Sequence, residues 1–283
     1  MSSRGDRTLS GPWRRLKPVT QDSLEVIGLP SKGDNKLLDY KTQETYYTRV
    51  VERYMAFCSD AEHGVELLRR LASASLDNST EKEISILLLA MRKLREGIVA
   101  SKRIDDFSIQ AYIFSIRLSI LVKHTESYHP AILHLLRVMH PVQPLASTEL
   151  QEFVGYLILD LACRQAKLGQ AFLVQHQYRL HDTKINAVLS ALTHDNYYVF
   201  WRVKQTVDGH KAKIMEFAEY TMRRQTLKCL GRSYLSIDLP FLEESTNSTW
   251  SQLTENCGVG WRLEGNKVII RKHKVLPNRS TQP

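Results

Sequence analysis

From about residue 39 to about residue 233, apolar side chains return at steps of three and four residues with hardly a break. Tyr46, Val50, Tyr54 and Phe57 open the series, followed by Val65, Leu68 and Leu71, then Ile84, Leu87, Leu88, Met91, Leu94 and Ile98. A 3.6-residue helix turns such positions onto one face, so each run predicts a helix that must bury a stripe. Thr80-x-x-Glu83 has the spacing of a capping box and predicts a helix start. The run from about Asp106, with Ile109, Ile113, Ile116 and Ile120, is apolar on several sides, as a helix between two layers would be. Pro130 is expected to open a short helix that Pro141 and Pro144 end, and Thr148-x-x-Gln151 to cap the next. Asp182 or Thr183, then Asn196, mark two further starts, and one long helix is expected over 211–233. Helices in antiparallel succession give a bundle or a stacked array, and the absence of a fixed repeat period disfavours a consensus solenoid.

The pattern changes after residue 233. Ser236–Glu243 fits a short strand entering a helix that buries Phe241 and Leu242. Thr249–Lys272 then reads as a helix with Trp250, Leu253 and Cys257, a stop at Gly258, and two strand-like runs around Gly265-Asn266. A turn pair containing Gly accepts positive φ cheaply, so the last part predicts a β-hairpin. The expected fold is mainly α: an antiparallel helical-repeat (TPR-like) array followed by a C-terminal winged helix. The expected division is 1–35 as a flexible basic arm with Trp13 as an anchor, 36–233 as the array, 234–274 as the winged helix and 275–283 as a tail.

Composition narrows the function. No apolar run in the 283 residues reaches the ~20 needed to span a bilayer, and the N-terminus lacks an apolar signal core, so a nuclear or cytoplasmic protein without membrane contact is expected. The four cysteines are scattered without a CxxC pair, which predicts buried free thiols rather than a zinc site. His129 and His134, like His176 and His181, are five apart and so about 140° apart around a helix, a poor spacing for one metal. Phosphate-binding glycine loops, the nucleophile elbow and HExxH are all missing, so neither catalysis nor a cofactor is expected.

The 39 basic residues exceed the 30 acidic ones, and the surplus gathers partly at the two ends. Two basic groupings could meet phosphates non-specifically. Lys213, Arg224 and Lys228 step along one helical face with Tyr220, and Arg262, Lys267, Arg271, Lys272 and Lys274 sit on or beyond the hairpin. The helix before the hairpin offers Gln252, Glu255 and Asn256 but no Arg or Lys, which argues against reading of base edges. Tyr197, Tyr198, Phe200 and Trp201 could stack on bases; core packing is the preferred reading. Arg223 or Arg224 is expected to brace its helix against the winged helix.

Four stretches carry a family resemblance. Glu149–Leu159, the pair Ile185–His194 and Asn196–Phe200, Met222–Leu230 and Leu239–Cys257 together resemble the PCI domain. That module of helical repeats and winged helix occurs in the proteasome lid, the COP signalosome and translation initiation factor three. Within it the likeness is nearest to the GANP-type mRNA-export branch and to the short lid and signalosome subunits. The resemblance covers about 125 residues and implies a scaffold subunit whose winged helix packs beside that of another PCI subunit. Trp250, Leu263, Val268 and Ile270 would then be interface candidates. It also implies a possible small acidic disordered partner and non-specific RNA or DNA binding. A lid- or signalosome-type subunit without nucleic acid, and a winged-helix DNA-binding regulator, are the alternatives.

Overall fold

A computed structural model describes residues 24–59 and 78–271. The Trp13 anchor, the Val65–Leu71 period and the basic residues Lys272 and Lys274 lie outside the described residues. Two 3-10 turns, Pro30–Lys32 and Asn35–Leu38, lead into α1 (Tyr40–Ser59), α2 (Asn78–Ala100), α3 (Asp106–Leu121), α4 (Thr125–His134), α5 (Ser147–Leu159), α6 (Leu168–Gln177), α7 (Thr183–Thr193), α8 (Tyr197–Lys204), α9 (Gly209–Met215) and α10 (Glu219–Ser233). β1 (Ser236–Asp238), α11 (Leu239–Thr246), α12 (Trp250–Cys257), β2 (Arg262–Glu264) and β3 (Lys267–Ile269) follow. The molecule is mainly helical with a small C-terminal sheet, as the periodicities predict.

Successive helices pack as pairs, α1 with α2, α3 with α4, α5 with α6 and α7 with α8. The joints share a device that no glycine announces. Lys102, Lys123, Ala166, Arg179 and Asp195 all have φ between 49° and 56°. At most of them the next amide reaches back five residues, as in His124 N to Ser119 O and Leu180 N to Gln175 O. This closes the last turn as a Schellman motif does, with an ordinary side chain held in the left-handed region.

Several expected helix starts move. α2 begins at Asn78, ahead of Thr80, and α5 begins at Ser147 without a side-chain cap, so Thr148 lies inside the helix. α4 begins at Thr125, and Pro130 sits within it rather than opening it. A proline there has no amide to donate, so the helix forgoes one backbone hydrogen bond in its interior. The expected single helix over 211–233 is broken by a 3-10 turn at Glu216–Ala218. The break turns Glu216 toward Lys123 at 3.1 Å and Lys213 at 3.2 Å. Asp182 and Asn196 do cap α7 and α8, accepting from the amides of Ile185 and Val199 among others.

One apolar cluster runs from Leu24 to Met222, with α3 at its centre: eleven of the sixteen residues of α3 are buried. Beneath α5 a polar knot interrupts it. Asp160 is fully buried and accepts from the Tyr128 hydroxyl at 2.6 Å, from Arg164 at 2.5 and 2.8 Å, and from Gln165 at 2.9 Å. Burial alone would raise its pKa; the donors, Arg164 foremost, outweigh it and hold the carboxyl below the ordinary value. A second, smaller cluster joins Leu227, Leu230, Ile237, Leu242, Leu253 and Val268. The two clusters meet on α10, which gives Met222 to one and Leu227 and Leu230 to the other.

Candidate docking surface of the winged helix

The second cluster is the heart of the winged helix. Its sheet has the order β1-β3-β2, antiparallel throughout, with Ile237 opposite Val268 and Val268 opposite Leu263. Facing residues share one side of a sheet, so these three form a single row. Ile237 and Val268 are buried beneath the helices; Leu263, at the outer end of the row, is 37% exposed. All of β2 is exposed, and its outer side has no partner strand among the described residues. The apolar row therefore reaches an open sheet edge.

Local chemistry fixes this arrangement. Thr249 caps α12 in a reciprocal box with Gln252, and Gly258 ends the helix at φ 64°. Glu243 of α11 accepts from the Trp250 amide at 2.7 Å, adding a negative charge at the start of α12. Glu243 thus serves the helix that follows its own. Gly265 takes φ 61° in the hairpin turn. Leu242 is buried as expected, but Phe241 is exposed, because successive residues of a helix lie about 100° apart and only one can face the core.

Three contacts fasten the winged helix to the array. The Trp201 indole donates to Ser245 O at 3.1 Å. Arg223 donates to Thr246 O at 3.2 Å, pairs with Glu219 at 2.8 Å, and lies 5.3 Å over the Trp201 ring. Arg271 donates to Gly231 O at 2.7 Å and Arg232 O at 2.9 Å, closing the C-terminus of α10 with a positive charge. Of the two brace candidates, Arg223 is the one engaged, while Arg224 is exposed near the Tyr220 ring.

The basic candidates differ in burial and in partners. Lys213 is buried and paired with Glu216, so it is removed from the phosphate-contacting stripe; the broken helix turned it inward. Arg224 and Lys228 are exposed on α10. In β3, Lys267 stands opposite Asp238 on one side and Glu264 on the other. The polar face of the sheet is thus close to balanced in charge. Among the interface candidates, Val268 is fully buried and cannot touch a partner, while Trp250 and Ile270 are half-buried against the same cluster. Leu263 alone of the four is exposed. Phe200 and Trp201 are core, leaving Tyr198 as the exposed member of the aromatic run.

What the sequence reading missed is the register. The strands alternate correctly, but which residue faces Val268 depends on pairing that no single strand encodes. The Thr249-x-x-Gln252 spacing, also passed over, is the signal that marks the start of α12.

No cluster of three or more metal-ligating side chains occurs among the described residues, and no helix there is long and apolar enough to cross a membrane. Cys163, the most enclosed thiol, is pushed up to about 12 by burial and then by the Asp160 charge.

A helical array closed by a winged helix is the architecture of a PCI-type fold. Residues 174–280 match the model of the CSN8/PSMD8/EIF3K family, which is of PCI-domain type. The match begins inside α6 and takes in the whole winged helix, while α1–α5 lie outside it. It gives the GANP-type branch no support. No curated protein matches the chain.

Proposed function

We propose that this chain is a non-catalytic subunit of a multiprotein assembly of the proteasome-lid, COP-signalosome or initiation-factor-three type, and that it docks on another PCI subunit through the open edge of β2. The observation that carries this reading is the row Ile237–Val268–Leu263, whose outermost member is exposed on an edge strand with no partner on its outer side among the described residues. Such a strand offers free amides and carbonyls to a partner strand, and the next residue in the row would cover Leu263. The family match over 174–280 supports the same class of assembly.

RNA or DNA binding, and with it a part in mRNA export, rests on less. Arg271 is spent on carbonyls of α10, Lys267 faces two carboxylates across the strands, and Lys213 is buried. Leu263→Asp tests the docking reading. Affinity purification of the variant from native cells is expected to lose the PCI-containing partners that the natural chain retains, while circular dichroism and melting temperature stay the same. Retention of the same partners by a folded Leu263→Asp chain would overturn it.

A further inference from the structure

Far from the winged helix, a cavity of about 730 Å³ opens between the 3-10 turns, α2 and the start of α4. Its size is within the range of small-molecule sites. Pro30, Leu38, Val99 and Pro130 give it apolar walls, and Arg95, Tyr112 and Ser127 bring polar groups into it.

Arg95 is the anomaly. Arg53, Arg103, Arg117, Arg164 and Arg223 each have a carboxylate oxygen between 2.5 and 2.9 Å away. Arg95 has none within 4 Å among the described residues; its one hydrogen bond goes to Ser127 O at 2.8 Å, and its Nε is sealed from solvent without a partner. Burial depresses its pKa, with Tyr112 and Glu96 opposing the shift and Arg92 adding to it. A guanidinium partly withdrawn from water, with Nε sealed and no anion beside it, costs stability, so it calls for a ligand or a reason. Two more groups in the same cavity are unspent. The hydroxyls of Tyr112 and Ser127 belong to buried residues, and neither has a hydrogen-bond partner among the described residues.

We propose that this cavity binds a carboxylate carried on an apolar body, with Arg95 pairing with the carboxylate and the Tyr112 and Ser127 hydroxyls donating to it. A single negative charge suits the site better than a phosphate dianion, because Glu96 and Glu126 also line it. Glu96 is already engaged by Arg92 and Ser31, and Glu126 is exposed and would repel a second charge. The ligand is a free carboxylic acid or the C-terminus of a peptide; both present the same group. The site is independent of the docking edge.

Ligand-observed NMR on the full chain tests this with 4-phenylbutyrate and its amide, and with a pentapeptide ending in phenylalanine as free acid and as amide. At least one acid is expected to bind saturably, about tenfold or more tighter than its amide, because a hydrogen-bonded charge is lost. Which acid binds tells the two sources apart. Arg95→Met is expected to abolish the acid-over-amide preference, and Tyr112→Phe to reduce it about threefold. Since Arg95 lacks an anion, Arg95→Met should melt no lower than the natural chain. No saturable binding of either acid at millimolar concentration, equal binding of acid and amide, or unchanged preference in a folded Arg95→Met chain would overturn the proposal.

Discussion

Asp160→Asn changes no shape and removes one charge, yet it should be among the costliest single substitutions in this chain. Each carboxylate oxygen of Asp160 serves at least two donors. Oδ1 accepts from Tyr128 and Arg164 Nε, and Oδ2 accepts from Arg164 Nη2 and Gln165, with His129 Nδ1 2.9 Å away. An amide in this place must turn its NH2 toward one of those sets, setting donor against donor whichever way it flips. Bonds to a charged group contribute about 1.5–3 kcal/mol each, and breaking one partner of a buried pair costs about 3–5 kcal/mol. Part of Arg164 reaches solvent, which places the expected loss near the lower figure, about 3 kcal/mol. In a chain of this length that lowers the melting temperature by about 6–10 °C. Calorimetry and urea titration at pH 7 measure it. The folded carboxyl titrates below its ordinary value, so its contribution is complete above about pH 4 and fades as pH falls through the depressed pKa. The gap between natural chain and variant should therefore narrow as the pH falls below the ordinary carboxylate range. A loss under about 0.5 kcal/mol at pH 7, or a gap that widens in acid, would refute the reasoning. The paired change Asp160→Leu with Arg164→Met, which removes both charges, should cost less than Asp160→Asn.

Other outcomes follow from single contacts. Ala166→Gly should stabilise by about 1 kcal/mol, since alanine there holds a left-handed φ of 54°; thermal melting checks it. At Gly97, an added Cβ would meet the Leu37 carbonyl oxygen at 2.6 Å, so Gly97→Ala should destabilise by about 2–3 kcal/mol and loosen the 3-10 turns against α2. Amide exchange in 30–38 reports the loosening. Arg271→Ala should cost about 1 kcal/mol by uncapping α10, seen as faster exchange at its last turn, with little change in retention on a phosphate resin.

Helix existence was legible because each helix writes its own buried stripe: Ile109, Ile113, Ile116 and Ile120 could face only a core. Helix starts were legible where a side chain does the capping, as with Asp182 and Asn196, and illegible where none does, as at α5. The joints escaped notice because Lys102, Lys123 and Asp195 adopt a conformation that sequence patterns assign to glycine. Lys213 shows the limit for the candidate site. Its helical spacing to Arg224 presumed one continuous helix, and a 3-10 turn fixed by Glu216 undid the shared face. Arg95 was invisible for a different reason: an unpaired charge is defined by the carboxylates that are not near it, and distance in space leaves no mark in a chain.

The shared helix α10 also has a bearing on synthesis. The array can be complete when the chain has been made only as far as Tyr234, but Leu227 and Leu230 then stand bare, since every other member of their cluster comes later. A message cut short at that point would yield a folded array ending in an adhesive stub, prone to self-association rather than harmless loss of a module. In the normal course, the segment that seals the stub leaves the ribosome after the array that carries it.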